Sequence, residues 1–130
     1  MKDFIPYNES LELKELGFDE ESLGLFSRDK VFVLKWIPNQ QECEEYFGGI
    51  LAPTFSQAFR FFREKHKLQT YIDFYHSYSY FYKIKSQDGR YVGNNGDIVV
   101  QGSPVFTRTY EEAELACLIK LIQIVKQQKL

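Results

Sequence analysis

The sequence predicts an α+β fold: a mainly antiparallel sheet with helices packed on one face, in the element order α-β-β-α-β-β-(β)-α. Three observations carry this expectation. Two capping boxes, Thr54 with Gln57 and Thr109 with Glu112, mark helix starts at which paired side chains take up free backbone donors. Behind Thr109 runs a wide apolar stripe, with Ala113, Cys117, Leu121 and Ile124 on one line and Leu115, Leu118, Ile122 and Val125 on the next. Between the helices lie short alternating segments joined by polar turns, the pattern of hairpins and so of antiparallel pairing.

Taken in order, Pro6 to Leu16 reads as a short helix with Pro at its start and Gly17 just past its end. Ser22–Ser27 and Val31–Trp36 are apolar runs around Arg28-Asp29-Lys30, a hairpin. Pro38 to Glu45 is polar and reads as a loop or a weak turn of helix, and Gly48-Gly49 through Pro53 continues the connection. Thr54 opens the second helix, with Phe55, Ala58, Phe59 and Phe62 at i, i+3, i+4 and i+7. Gln69–His76 and Tyr80–Ser86 follow as strands joined around Ser77. In the second of them Tyr80, Tyr82 and Ile84 share one face, and Phe81, Lys83 and Lys85 the other. Asp88-Gly89 is a tight-turn signal leading to Tyr91-Val92. Gly93-Asn94-Asn95-Gly96 reads as a loop, Ile98–Val100 as a short strand, and Ser103-Pro104 as a break before the last helix. A helix-hairpin order occurs twice, from Pro6 and from Pro53, with little residue identity between the two stretches.

With 130 residues, 44% of them hydrophobic and 17% aromatic, the chain is expected to be one folded domain, 1–130. Twelve Phe and nine Tyr imply either a core built largely of rings or rings on a binding surface. The formal net charge of −2 supplies no global field toward nucleic acid or anionic lipid, so such binding would need a local patch. The absence of a signal sequence, a long apolar run or a disulfide framework points to a reducing cytoplasm and to no membrane partner.

No chemical motif matches the strength of the architectural ones. Cys43, Cys117, His66 and His76 are ligand types for zinc but lack every paired spacing that a zinc site uses, so neither a metal nor a cofactor is expected. Cys117 sits in an apolar stripe and Cys43 beside Glu42, Glu44 and Glu45, and both settings disfavour a thiolate nucleophile. Gly93 to Asp97 lacks the Lys-Ser/Thr end of a phosphate loop and has no helix after it. No catalytic residue is therefore assigned.

What remains is aromatic and basic. Arg60, Arg63 and Lys67 crowd the end of the second helix, and Tyr71, Tyr75, Lys83 and Lys85 follow in the next hairpin. Rings interleaved with cations on a strand face suit single-stranded nucleic acid, although Asp73 alternates into the face of Tyr71 and Tyr75. Packing of these rings at the core or its rim comes first in expectation, a protein-contact surface second and nucleic acid third. Strand alternation places Tyr80 and Tyr82 toward the core and leaves Tyr71 and Tyr75 as the rings that reach solvent.

Phe4-Ile-Pro-Tyr through Leu13-Lys-Glu-Leu-Gly-Phe-Asp-Glu, Ala52-Pro-Thr-Phe-Ser-Gln-Ala-Phe-Arg-Phe-Phe-Arg-Glu-Lys, and Thr109-Tyr-Glu-Glu-Ala-Glu-Leu-Ala-Cys-Leu-Ile-Lys-Leu-Ile form three blocks. Together they resemble a family of small uncharacterised proteins of gut Bacteroides-type bacteria, their phages and mobile elements. The resemblance covers about a third of the chain, implies a bacterial or phage setting, and brings no activity, cofactor or catalytic residue with it. The function expected is non-enzymatic, through contacts with a protein partner or with a second copy of the chain. The alternatives are an accessory single-stranded nucleic-acid-binding protein using residues 71–85, and a small enzyme whose site is assembled by loops.

Overall fold

The computed structural model describes residues 3–76, 79–87, 91–94, 99–100, 103–104 and 107–128. The chain divides into two compact units, Met1–Ala58 and Phe59–Leu130. Helices and antiparallel sheets make up both, so the α+β class and the order of its elements hold.

The N-terminal unit begins with α1 (Tyr7–Glu15), whose N-cap is Pro6 and whose end is turned by Gly17 at φ 98°. β1 (Ser22–Phe26) and β2 (Phe32–Ile37) form the expected hairpin, with a bulge between the Ser22–Ile37 and Gly24–Leu34 pairs. Next comes α2 (Gln40–Phe47), a full helix where the sequence predicts a loop or a weak turn of helix. Two end signals make this short helix possible. Asn39 accepts a hydrogen bond from the Glu42 amide at 2.9 Å, and Gly48 takes the left-handed C-cap at φ 60°.

β3 (Ile50–Leu51) then pairs with β1, completing a sheet of order β2-β1-β3 inside what was expected to be connection. So small a strand is held by polar side chains. The Gln40 amide behaves like a strand's own backbone, donating to the Gly49 carbonyl at 2.9 Å and accepting from the Leu51 amide at 3.1 Å. The buried Ser22 hydroxyl reaches the Ala52 and Gly24 carbonyls at 3.0 and 2.9 Å. Gly49 passes so close to β1 that a Cβ there would lie 1.8 Å from the Phe26 carbonyl oxygen. Around this frame Ile5, Leu13, Leu16, Phe18, Leu25, Ile37, Cys43 and Leu51 are buried. Rings of Phe4, Tyr7, Phe26 and Phe32 meet in edge or tilted contacts 5.0–5.6 Å apart.

α3 (Phe55–Lys65) starts in the first unit and ends in the second. Its capping box is complete: the Gln57 amide donates to Thr54 Oγ1 and the Thr54 amide to Gln57 Oε1, both at 3.2 Å.

In the C-terminal unit β4 (Leu68–His76), β5 (Ser79–Ser86) and β6 (Tyr91–Asn94) make an antiparallel meander in that order. Gly93 and Asn94, read as loop, pair in β6 with Ile84 and Lys83. Ser103-Pro104, read as a break, is β8 (Ser103–Pro104) and pairs with β7 (Val99–Val100). The Asp88-Gly89 turn lies outside the described residues. α4 (Tyr110–Gln128) packs on β4, β5 and β6, and Thr109 caps it by accepting from the Glu112 amide at 3.1 Å. Its stripe supplies Ala113, Cys117, Leu118, Leu121, Ile122 and Val125 to the core, and the sheet supplies Leu68, Tyr82 and Ile84. Tyr82 is fully buried as expected, while Tyr80 is half-buried, its ring edge-on to Tyr110 at 6.3 Å.

Candidate functional site

The basic residues at the end of α3 serve the helix first. Arg63 and Lys65 occupy its last turn, where the exposed carbonyls favour positive charge. Lys67 then adopts the left-handed conformation at φ 58°, a position usually given to glycine, and its ammonium donates to the Glu64 carbonyl at 3.0 Å. An ammonium carries three donors, and this bond uses one of them.

β4 starts one residue later, so the reversed chain brings the helix end beside the sheet. Register fixes which side chains face each other: Gln69 lies opposite Lys85, Tyr71 opposite Lys83, and Asp73 opposite Phe81. Tyr82 and Ile84 point into the core with α4 upon it, so alternation turns Lys83 and Lys85 to the other face. On that face the Lys85 ammonium lies 5.6 Å from the centre of the Tyr71 ring, within cation–π range, and the Lys83 ammonium 5.5 Å from that of Phe81.

Arg63, Lys67, Tyr71 and Lys85 line one open pocket of about 430 Å³, completed by Gln69, Ser86 and Gln87. Four of the seven expected residues are thus brought together. Arg60 and Lys83 do not line the pocket, and the Tyr75 side chain lies outside the described residues. Tyr71 keeps 47% of its surface exposed, as alternation predicts. No carboxylate is among the described residues of the lining. The three residues that sequence reasoning missed sit at the mouth of the hairpin. The signal for Gln69 and Ser86 was the register itself, which sets them across from Lys85 and Leu68.

The N-terminal unit presents a different surface. Leu23, Val31, Leu34 and Trp36, all on the β1–β2 hairpin, are between 55% and 64% exposed. β2 is the edge strand of its sheet and, among the described residues, pairs only with β1. Isolated exposed apolar residues are ordinary, whereas here four of them lie on one hairpin. The chain's single tryptophan is one of them.

Both thiols are buried and free. Burial, helped by Glu44, pushes the Cys43 thiol up to about 11, and burial pushes Cys117 higher still. Neither is a thiolate at neutral pH. Among the described residues no group of three His, Cys, Asp or Glu side chains is placed to hold a metal ion, and no helix is long and apolar enough to cross a membrane. Compared with known proteins, the chain matches no family model, no curated protein and no solved structure.

Proposed function

We propose that this protein acts by binding rather than by catalysis, and that its principal contact is with another protein, made by the β1–β2 hairpin of the N-terminal unit. The observation that carries this reading is the group of exposed apolar side chains Leu23, Val31, Leu34 and Trp36 on a single hairpin. Covering such groups releases water from apolar surface at about 25 cal/mol per Å², and aromatic anchors such as Trp dominate contacts of this kind. Lys35, exposed in the middle of β2, and the bulge beside it both oppose edge-to-edge strand addition. The contact therefore runs through side chains, with the strand edge left unpaired. A cytoplasmic, bacterial or phage-associated setting belongs to the same proposal. It rests on the sequence resemblance and on two free, buried thiols, which are common in a reducing compartment.

Cross-linked capture with the wild-type chain and with a Leu34→Glu/Trp36→Ser double variant tests this reading, the chain's own second copy counting as a partner. A protein recovered in stoichiometric amount by the wild type and lost with the variant is the expected result. Equal recovery by both chains would assign the contact elsewhere.

A further inference from the structure

We propose that the pocket of the C-terminal unit is a binding site for a nucleoside phosphate, with the phosphate held by Arg63, Lys67 and Lys85 and the base stacked on Tyr71. The charge argument comes first. The chain as a whole is acidic, 18 acidic to 16 basic residues, yet cations from α3, from the turn after it and from β5 line one pocket whose described lining has no carboxylate. Positive side chains gathered in this way favour a bound anion. Lys67 strengthens the point. A lysine in left-handed backbone carries a conformational cost that glycine would avoid, and here it puts an ammonium with two further donors at the pocket wall.

The ring selects among anions. Tyr71 is exposed on the sheet face opposite α4, where a flat heterocycle can lie on it, and the Lys85 ammonium near its ring ties the stacking position to the phosphate position. Gln69 and Gln87 add amide groups able to donate and accept along a base edge or a ribose. A sulfate-sized anion would use none of these.

Size and the neighbouring charge limit the site to one unit. A volume of about 430 Å³ lies toward the small end of ligand pockets. Farther along the same face of β4 the next residue is Asp73, an exposed carboxylate, which repels a second phosphate in that direction. The bound unit comes either from a free mononucleotide or from one residue of a single strand, and the chemistry of the site is the same for both.

The test is binding at low salt of three probes to the full chain: adenosine monophosphate, a short oligothymidylate and inorganic phosphate. The two nucleotide probes are expected to bind more tightly than inorganic phosphate. Tyr71→Ala should weaken them about tenfold, the scale of one base–aromatic stack, while Tyr71→Phe retains binding because the ring is kept. Arg63→Gln and Lys85→Gln should each weaken all three probes and lower the salt dependence by about one ion. An oligonucleotide at least tenfold tighter than the mononucleotide identifies a strand as the source, and equal affinities identify the free nucleotide. No binding of either nucleotide overturns the proposal. So does binding that matches inorganic phosphate and is indifferent to Tyr71→Ala, which would make the pocket an anion hole. Since Tyr71 is exposed, circular dichroism of each variant separates loss of binding from loss of fold.

Discussion

The two units are built from the same parts, a three-stranded antiparallel sheet with helices, but they distribute polarity differently. In the N-terminal unit polar side chains lie at the centre of the fold: Ser10 and Ser22 are buried, and Gln40 stitches the flanks of β3. In the C-terminal unit the described core is apolar apart from the Tyr82 hydroxyl and the Cys117 thiol. Strand length explains the difference. β4 and β5, with nine and eight residues, satisfy one another along a long ladder, whereas the two residues of β3 leave backbone groups that side chains must take up. The surfaces differ as well. The first unit gathers Leu23, Val31, Leu34 and Trp36 on one hairpin, with Tyr46 exposed apart from them on α2. The second scatters its exposed apolar side chains over β4 and α4 and gathers cations around Tyr71 instead. One chain thus carries two chemically distinct surfaces, one apolar and the other basic and aromatic.

Substitutions that probe each half can break or sharpen this contrast. The largest effect is expected at Gly49. A methyl group there meets the Phe26 carbonyl, which is backbone and cannot rotate away. Gly49→Ala should cost on the order of 4 kcal/mol in a denaturant melt. A loss under one would mean that β3 and β1 are farther apart than described. In the C-terminal unit Leu118 is fully buried on the sheet side of α4, and Leu118→Ala should cost about 3 kcal/mol, within the usual range for a buried leucine. A change below half a kilocalorie would remove α4 from the centre of that core.

Ser22→Ala tests whether polar atoms hold the first unit. It strips the Ala52 carbonyl and the Gly24 amide of a buried partner, and about 1–3 kcal/mol should be lost. Apolar replacement with no loss would make that unit as indifferent to internal polarity as the second. The smallest effect belongs to Glu44. Lys14, 2.7 Å away, holds its carboxyl below the ordinary value of 4.5. A lowered folded value means that the contribution is present above that ordinary value and fades as the pH falls below it. Glu44→Gln should therefore shift stability only slightly at pH 7, since the pair is open to solvent and screened, and by less at pH 3. A shift at pH 3 equal to that at pH 7 would show that the charge is not responsible.

The contrast between the units also marks what could be read from sequence. Thr54 with Gln57 and Thr109 with Glu112 identified two helix starts because capping is local chemistry. Alternation in β5 placed Tyr82 inside and Lys85 outside because side-chain direction is fixed by the strand. α2 escaped because its eight residues carry only Cys43 and Phe47 on an inner line, although Asn39 and Gly48 stood at its two ends. β3 escaped because two residues have no period. Of the pocket, the charged and aromatic members were legible by type. Gln69, Ser86 and Gln87 belong to it only through register and position, which no residue type announces. The apolar hairpin shows the same limit. Leu23, Leu34 and Trp36 read as ordinary strand residues, and only the fold shows that they remain uncovered.

Trp36 provides the most direct test of the claim that this hairpin is the protein-binding face. It is the single indole of the chain and is half exposed, so its emission reports that one surface without labelling. The measurement is its emission and its quenching by acrylamide, free and in the complex formed with the captured partner or at high concentration of the chain itself. Burial under a partner should move the emission to shorter wavelength and protect it from acrylamide. A complex that forms while Trp36 stays as red-shifted and as quenchable as in the free chain would contradict the account.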